Sequence, residues 1–269
     1  MVNRTSLLAA LIFTLIGSTA TTAAARQFNN VVIISIDALH PEALKSAQIP
    51  TINKLMQTGA YTLDGRSTEP PKTLIAHTAM FTGLFPVESG KLDNDWMPGE
   101  ATVKHETIFD DAKGKNFKTG YFFSKEKLGY LVNKAIDVQA WSPDGAVDLA
   151  ETFIKTDGRH FVFLHISGLD QVGPEYGWLS PEYLEELSFI DDYLTPLVET
   201  VIGKQNYLLI VTSDHAGHDK IHGSDHPEDY RLPLLICSDT VVVQPVKDRP
   251  FSIVNFREML AGMINAPGH

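Results

Sequence analysis

Apolar residues along the chain fall into short runs separated by segments with helical spacing. The run within 29–37 is rich in β-branched residues, which predicts a buried, parallel strand, and 160–170 and 207–215 contain similar apolar runs. Further strand patterns occupy 118–124 and 232–238. Helical spacing is found at 49–60, 146–156, 180–202 and 251–264. Because strands alternate with helices, the chain is predicted to form an α/β domain around a mainly parallel sheet.

The segment 180–202 has the clearest helical pattern. Its apolar positions follow one another at steps of three and four: Leu184, Leu187, Ile190, Leu194, Leu197 and Val201. Ser180 suits the N-cap, and Pro181 suits the first helical position. Pro196 lies inside the pattern. Because proline lacks a backbone N–H, we expect it to kink or split this helix.

Three of the apolar runs end at an aspartate, namely Asp37, Asp170 and Asp214. The carboxyl ends of parallel strands share one edge of a sheet, and ligands of open α/β sheets bind there. Three carboxylates at that edge repel one another unless a positive charge compensates them. The pattern therefore predicts a cation between the three side chains.

Histidines follow the last of these aspartates closely. His215, His218 and His222 lie within eight residues in SDHAGHDKIHG. Carboxylate and imidazole together suit zinc or a similar divalent ion. A solvated polar loop with incidental histidines is the alternative for such a stretch. The clustering of three histidines and an acid after a buried strand favours the metal site.

The stretch PPKTLIAHTAMFTG at 70–83 places Thr73 at the start of a predicted helix. A threonine there can cap the helix. It can also act as a nucleophile, because metal coordination activates a hydroxyl that is otherwise unreactive near neutral pH. One position can serve both purposes. The three acids favour the nucleophile.

The composition narrows the function classes. Hydrophobic residues make up 43% of the 269 residues, which is enough for a substantial core. The formal net charge of −11 argues against binding to a nucleic acid polymer. Small anionic substrates remain possible because a metal supplies local positive charge. The single cysteine, Cys237, forms no internal disulfide.

Residues 1–25 have the layout of a cleaved secretory signal. Arg4 precedes an apolar run from Leu7 to Ile16, and small residues end the segment. An uncleaved anchor is the alternative, but the run is short for a bilayer span. We therefore expect a single catalytic domain at 26–269 that is exported, periplasmic or secreted, with no membrane anchor after cleavage.

Four blocks in order resemble the alkaline phosphatase superfamily, and most closely its nucleotide pyrophosphatase/phosphodiesterase-like branch. They are IISID, PPKTLIAHTAMFTGLFPVESG, LDQVGPEYGW and SDHAGHDKIHGSDHPEDYRLPLLI. Lys72, Thr73 and His77 match the pattern of that branch, as does the following TGLFP. The blocks span residue 31 to about 264. The resemblance implies a three-layer α/β/α fold.

The resemblance also implies a site with two divalent metal ions, zinc in the family, and a phospho-threonine intermediate at Thr73. One ion would be held by Asp37, Thr73, Asp214 and His215. The second would be held by Asp170, His222 and a third ligand. Lys72 is the expected substrate-binding cation.

The chain departs from the family pattern at three positions. The third ligand of the second ion is normally a histidine four residues after the aspartate, and this chain has Pro174 there. Proline has no side-chain donor, so the second ion lacks that ligand unless His218 or a water replaces it. Ala76 stands where an asparagine normally helps to hold the phosphoryl oxygen. Ala38 stands where glycine is common, and we expect little effect from it.

The remaining histidines are expected to have structural roles. His40 is predicted at the surface, and His160 and His165 flank a strand and are predicted to pack. His77, one turn after Thr73, is predicted to support the site rather than to react. Residues 86–105 are predicted to form a surface loop that, together with Trp178, lines the substrate pocket.

Taken together, the sequence predicts a metal-dependent hydrolase of phosphate esters, most like a phosphodiesterase, acting on a small phosphate-ester or nucleotide-like substrate. Two alternatives stay open. One is a degenerate, non-catalytic member that binds a metal or a phosphorylated ligand. The other is a phosphomonoesterase, which needs extra positive charge at the phosphate.

Overall fold

The fold is taken from a computed structural model that describes residues 27–266. The predicted leader at 1–25 lies outside the described residues. Within 27–266, no helix is both long enough and apolar enough to cross a bilayer.

The scaffold is one eight-stranded sheet in the order β4-β3-β5-β1-β6-β7-β2-β8. Its strands are β1 (Asn30–Ile36), β2 (Ala60–Arg66), β3 (Lys118–Phe123), β4 (Val138–Trp141), β5 (His160–Ile166), β6 (Tyr207–Thr212), β7 (Arg231–Ser238) and β8 (Phe251–Ser252). Strand β7 runs antiparallel to both of its neighbours, and every other pairing is parallel. The predicted mainly parallel sheet is confirmed.

Strand β1 lies at the centre of the parallel part. Ile33 pairs with Phe163 of β5 on one side and with Ile210 of β6 on the other. All seven residues of β1 are buried. This explains why its sequence is apolar on both faces instead of alternating with polar residues.

Two hydrophobic cores cover the two faces of the sheet. Alternate residues of β1 enter different cores: Val31 and Ile33 belong to one, and Val32, Ile34 and Ile36 belong to the other. This alternation follows from the two-residue period of a strand. With helices packed on both faces, the domain has the predicted three-layer α/β/α architecture.

The helices divide between the two faces according to these cores. Residues of α3, α5 and α9 enter the first core, and residues of α1, α2, α6 and α8 enter the second. The helices are α1 (Ala43–Ser46), α2 (Pro50–Thr58), α3 (Thr73–Thr82), α4 (Pro86–Ser89), α5 (Ile108–Lys113), α6 (Ala146–Lys155), α7 (Gly168–Tyr176), α8 (Pro181–Gly203) and α9 (Phe256–Asn265).

The carboxyl ends of β1, β5 and β6 meet at one edge, as predicted. The backbone N–H of Asp37 donates to the carbonyl of Ile166 over 2.8 Å and so ties the ends of β1 and β5 together. Asp170 does not sit at the end of a strand. It is the third residue of α7, which starts soon after β5 ends, and the helix returns the carboxylate to the same edge.

Of the two outcomes expected for Pro196, a kink or a split, the split does not occur. Helix α8 continues from Pro181 to Gly203 with Pro196 inside it. The apolar stripe of α8, including Leu187, Leu194 and Leu197, is fully buried in the second core. Burial of this stripe outweighs the one backbone hydrogen bond that proline removes.

His160 is buried at the start of β5, opposite Asn30 of β1. Its ring contacts the Asn30 Oδ1 over 3.1 Å and the Thr156 hydroxyl over 2.9 Å. Burial lowers the pKa of His160 to about 4. The folded state therefore keeps this imidazole neutral at pH values where the unfolded chain protonates it.

We expect this histidine to weaken the fold in acid. Below about pH 6.5, His160 is protonated in the unfolded state but stays neutral in the folded state. The free energy of unfolding therefore falls as the pH drops towards 4. His160→Gln should flatten this pH dependence by about 3 kcal/mol between pH 7 and pH 4. Urea unfolding of both proteins at a series of pH values checks this. Parallel curves would contradict it.

Candidate metal centre and nucleophile

Asp37 follows β1 directly, and its side chain is fully buried. Its Oδ2 atom accepts a hydrogen bond from His165 Nε2 over 3.0 Å and lies 2.6 Å from the ammonium of Lys125. Its Oδ1 atom is buried without a hydrogen-bond partner. One oxygen of this carboxylate is therefore satisfied and the other is free to bind a cation.

Asp214 follows β6 and is also fully buried. Its Oδ1 atom accepts a hydrogen bond from the Ala38 backbone N–H over 3.2 Å, while its Oδ2 atom has no partner. Ala38 reaches this carboxylate in a left-handed conformation with φ of 62°. This conformation is unfavourable for a residue with a Cβ, and the expectation that alanine at 38 has little effect stays a prediction.

His215 is held in the tautomer that binds metal ions. Its Nδ1 lies 2.9 Å from the carbonyl of Ala216, and because a carbonyl can only accept, Nδ1 carries the proton. The Nε2 atom is buried, has no hydrogen-bond partner and is the ring nitrogen that a metal ion would bind. Metal-ligating histidines are oriented by such a bond from the other ring nitrogen.

Three carboxylates surround this nitrogen. His215 Nε2 lies 3.3 Å from Asp37 Oδ1, 3.6 Å from Asp170 Oδ1 and 3.6 Å from Asp214 Oδ2. All four atoms are buried and have no hydrogen-bond partner. Ligand atoms of a tetrahedral zinc ion are about 3.4 Å apart. Within this set, the donor atoms of Asp37, Asp214 and His215 lie within 4.8 Å of one another, which fits one divalent ion.

His222 stands at the border of this group. Its ring stacks on that of His215 with centroids 4.9 Å apart, and its Nε2 lies 3.6 Å from Asp170 Oδ1. The indole of Trp178 also packs against the His222 ring, and the centroids of these two rings are 5.6 Å apart. Asp170, His215 and His222 form a second group, which shares His215 with the group of Asp37, Asp214 and His215. Five of the six predicted metal residues thus converge, whereas the sixth, Thr73, contacts Lys125.

Lys125 is the functional candidate that sequence reasoning missed. It follows β3 closely, and its ammonium contacts Asp37 Oδ2 and Asp170 Oδ2, with Thr73 Oγ1 3.3 Å away. The sequence does hold a signal, because β3 is parallel to β5 and ends at the same edge. That signal goes unnoticed when strand ends are searched for acids and histidines alone.

The titration behaviour of these groups reflects their mutual charges. Burial opposes ionisation of Asp37, but the Lys125 ammonium holds the pKa of that carboxyl well below its ordinary value. Burial and the charge of Asp37 raise the pKa of Asp214 to about 7. Burial lowers the pKa of Lys125, yet the charges of Asp37 and Asp170 raise it above its ordinary value, so this lysine stays protonated.

The same field acts on His215. Burial alone lowers the pKa of an imidazole, but the charges of Asp214 and Asp37 raise the pKa of His215 to about 10. The pocket between the carboxylates therefore attracts a positive charge, either a proton on His215 or a metal ion. A metal ion competes with that proton for the Nε2 lone pair.

Thr73 begins α3 and is 1% exposed. The N-cap of α3 is Lys72, and no side chain caps the helix, so the capping role predicted as an alternative for Thr73 is not seen. His77 lies one turn later, with Nδ1 donating to the Thr73 carbonyl over 2.8 Å and Nε2 next to the Ser35 hydroxyl. His77 fixes the first turn of α3 to β1, which agrees with its predicted supporting role.

Two predicted residues lie apart from the carboxylates. Lys72 is exposed, its stem packs along Gly223, and within residues 27–266 its ammonium forms no ion pair. His218 does not replace the ligand missing at Pro174. Its Nδ1 donates to Asp229 Oδ1 over 2.7 Å and its ring stacks on His226.

Two other histidines also differ from expectation. His40 is buried, not at the surface, and its Nε2 lies 2.7 Å from a carboxylate oxygen of Glu228. His165, predicted only to pack, is bonded to Asp37 and to the Ser124 hydroxyl. Because a carboxylate can only accept, His165 Nε2 carries the proton and keeps Asp37 in place.

The predicted surface loop at 86–105 forms part of a cavity at this edge of the sheet. The cavity has a volume of about 250 Å³ and is lined by Trp96 and Pro98 from the loop together with Phe123, Glu126 and Trp141. The Trp141 indole donates to the carbonyl of Ser124 over 3.3 Å, next to Lys125. Trp178 does not line it.

The profile of the type I phosphodiesterase / nucleotide pyrophosphatase family matches residues 31–231. This chain belongs to that family. The match contains both carboxylates that follow strands, the His215 donor set and Thr73. Membership of the family confirms the predicted resemblance to the alkaline phosphatase superfamily.

Individual members of this family and its neighbours resemble the chain over different lengths. Human ectonucleotide pyrophosphatase/phosphodiesterase family member 1 is 26% identical over 218 residues, which covers 68% of this chain and 23% of the human protein. GPI ethanolamine phosphate transferase 1 of Emericella nidulans is 33% identical over 89 residues, which covers 32% of this chain and 10% of that protein. The chain thus spans less than a quarter of either relative.

Solved structures agree with the fold. Murine ectonucleotide pyrophosphatase / phosphodiesterase 5 superposes with a TM-score of 0.71 at 12% identity, over 87% of this chain and 95% of the murine one. An inactive form of the same murine protein in complex with AMP superposes with a TM-score of 0.70 at 13% identity, over 87% and 94% of the two chains.

We expect zinc to stabilise the folded protein through the four unpaired donors. A free zinc concentration 100 times the dissociation constant contributes about 2.7 kcal/mol, which raises the melting temperature by roughly 5–10 °C. Asp214→Asn should abolish this rise. It should also make the zinc-free protein more stable than the parent, because one of three repelling buried carboxylates is neutralised. Scanning fluorimetry with and without a chelator measures both.

The exposed acid Asp157 offers a matched control, since Asp157→Asn removes the same charge far from the unpaired donors. This variant should keep the zinc-induced rise. An equal rise in Asp214→Asn would show that zinc stabilises the protein from another site.

Proposed function

We propose that this protein is a metal-dependent hydrolase of phosphate esters, acting most readily on phosphodiesters or nucleotide pyrophosphates through a phospho-threonine at Thr73. The convergence of four unpaired buried donor atoms carries this proposal, together with Lys125, which links Asp37 and Asp170 to the Thr73 hydroxyl. The family's description and the AMP bound by the murine relative support a small, nucleotide-like substrate.

Asp37, Asp214 and His215 would hold the divalent ion, with Asp170 and His222 at its open side. Carboxylate and imidazole donors suit zinc. When bound, such an ion neutralises charge on the phosphoryl group and makes a nearby hydroxyl more acidic. The family resemblance implies two ions, and the chain departs from that pattern because position 174 is a proline.

In the first step, the Thr73 hydroxyl releases its proton to solvent, and its oxygen attacks phosphorus and forms the P–O bond of the phospho-threonine. The bond to the leaving alkoxide breaks, and that oxygen takes up a proton from solvent. In the second step, water attacks the phospho-threonine and releases a proton to solvent, the bond between phosphorus and Thr73 Oγ1 breaks, and Thr73 Oγ1 takes up a proton. A diester yields an alcohol and a phosphate monoester.

The side chains around Thr73 support both steps. The Lys125 ammonium lies 3.3 Å from Thr73 Oγ1 and stays protonated, so it stabilises negative charge on this oxygen instead of removing its proton. The hydrogen bond from His77 to the Thr73 carbonyl fixes the orientation of the nucleophile. Ala76 is buried and apolar, so this position offers no donor to the phosphoryl oxygens.

A phosphomonoesterase is the second candidate, and Lys125 is the observation that favours it. A monoester carries more negative charge than a diester, and an ammonium next to the nucleophile compensates part of that charge. Rates on matched diester and monoester substrates separate the two candidates.

Export belongs to the proposal as well. It rests on the leader pattern of residues 1–25. The acidic net charge supports a small substrate in preference to a nucleic acid polymer.

The test is hydrolysis of a chromogenic phosphate diester, and of the matching monoester, in the presence of zinc. Thr73→Ala should lower the rate on the preferred substrate at least about 10³-fold, because no other side chain replaces the nucleophile. Thr73→Ser should retain measurable activity. Thr78→Ala is the matched control: its hydroxyl donates to the Leu74 carbonyl on the same helix and is expected to leave the rate nearly unchanged.

Equal rates in the parent and in Thr73→Ala would contradict the proposal. If both rates were negligible with zinc bound, the protein would be a non-catalytic member that binds a metal or a phosphorylated ligand.

A further inference from the structure

Asp37 and Asp170 each present two carboxylate oxygens to different partners. The Oδ1 atoms of both face His215 Nε2, at 3.3 and 3.6 Å, and have no hydrogen-bond partner. The Oδ2 atoms of both contact the ammonium of Lys125. The two carboxylates therefore bridge two cationic positions, one next to His215 and one that Lys125 fills.

The position of Lys125 is the one that also touches the nucleophile. Its ammonium lies 2.6 Å from Asp37 Oδ2 and 3.3 Å from Thr73 Oγ1. A metal ion that bridged the same carboxylate oxygens and activated Thr73 would have to occupy this place. A lysine ammonium and a metal ion cannot both do so.

Helix α7 explains why a positive charge from Lys125 can take the place of a metal ion. Position 174 is one turn after Asp170 on the same face of α7, where a histidine side chain would reach towards the carboxylates. Pro174 has no donor atom. The ring of Trp178 packs against Gly173 instead, where an added Cβ would come within 2.8 Å of it.

The charges agree with this arrangement. Three carboxylates lie in the centre, with the side chains of Asp37 and Asp214 fully buried and that of Asp170 13% exposed. One divalent ion together with the Lys125 ammonium balances them. Two divalent ions with the ammonium would leave two excess positive charges in a buried site, which is unfavourable.

We propose that the Lys125 ammonium replaces one of the two cations that the family resemblance implies, so that the centre holds a single divalent ion. The ion binds next to His215, between Asp37 and Asp214. Lys125 supplies the second positive charge at the nucleophile. This inference rests on the proposed metal-dependent function of the same site.

Equilibrium dialysis of the tag-free protein against zinc, with bound metal counted by elemental analysis, tests the inference without relying on activity. We expect one zinc ion per chain in the centre. Among the described residues, His218, His226 and Asp229 form one further group of three metal-binding side chains, so the titration is repeated with His226→Ala to count any ion held there. Two zinc ions in the centre would overturn the inference.

Lys125→Met tests the role of the charge. It removes the ammonium but keeps much of the side-chain volume, so the remaining ion no longer experiences a positive neighbour. We expect its zinc affinity to rise at least ~10-fold. Lys134→Met, which removes an exposed lysine nearby, should change the affinity less than ~3-fold. Equal affinities in Lys125→Met and the parent would overturn the inference.

The outcome can be separated from that of the proposed function. One bound zinc ion with hydrolysis that does not depend on Thr73 rejects the proposed mechanism and leaves the role of Lys125 standing. Two bound zinc ions with hydrolysis that does depend on Thr73 reject the role of Lys125 and leave the mechanism standing.

Discussion

The burial of three carboxylates at one edge of the sheet is the constraint on which the rest of the site depends. Asp37 and Asp214 are fully buried, and each has one oxygen that no hydrogen bond satisfies. Buried charges without partners are costly, so this arrangement is stable only with compensating cations. The protonated Lys125, the raised pKa of His215 and the candidate metal position all follow from this requirement.

The scaffold keeps these like charges together through its packing. Strands β1, β5 and β6 pair in register over most of their length, and an apolar core covers each face. Neither carboxylate at the ends of β1 and β6 can move away without breaking this register. The strained backbone at Ala38 shows the same effect, because its N–H is aimed at Asp214 despite a positive φ. The packing of the sheet maintains this local strain and charge repulsion, and it thereby fixes the geometry of the site.

Pro174 departs from the pattern that the family resemblance implies, because it removes a neutral metal ligand. Lys125 places a permanent positive charge at the carboxylates of the same centre. A fixed ammonium is always present and cannot be removed by a chelator, but it offers no coordination site to a phosphoryl oxygen. Such a centre suits a reaction in which one ion binds the phosphoryl group and a protein charge stabilises the nucleophile.

The sequence by itself determined the central strands, Asp37, Asp214, His215 and the place of Thr73 at the start of a helix, because each depends on local periodicity or on a position close after a strand. Only the tertiary structure decided the rest. Asp170 reaches the same edge from within α7. Strand β2 escaped prediction because its residues are partly polar and partly exposed, and β4 because it is a short, mostly exposed strand at the edge of the sheet. Pro196 stays within α8 because distant core contacts outweigh its local preference. Lys125 follows a different strand, β3, and contacts Asp37 and Asp170. The order of the strands brings these charges together although they are far apart in the chain, and no local sequence pattern predicts that order.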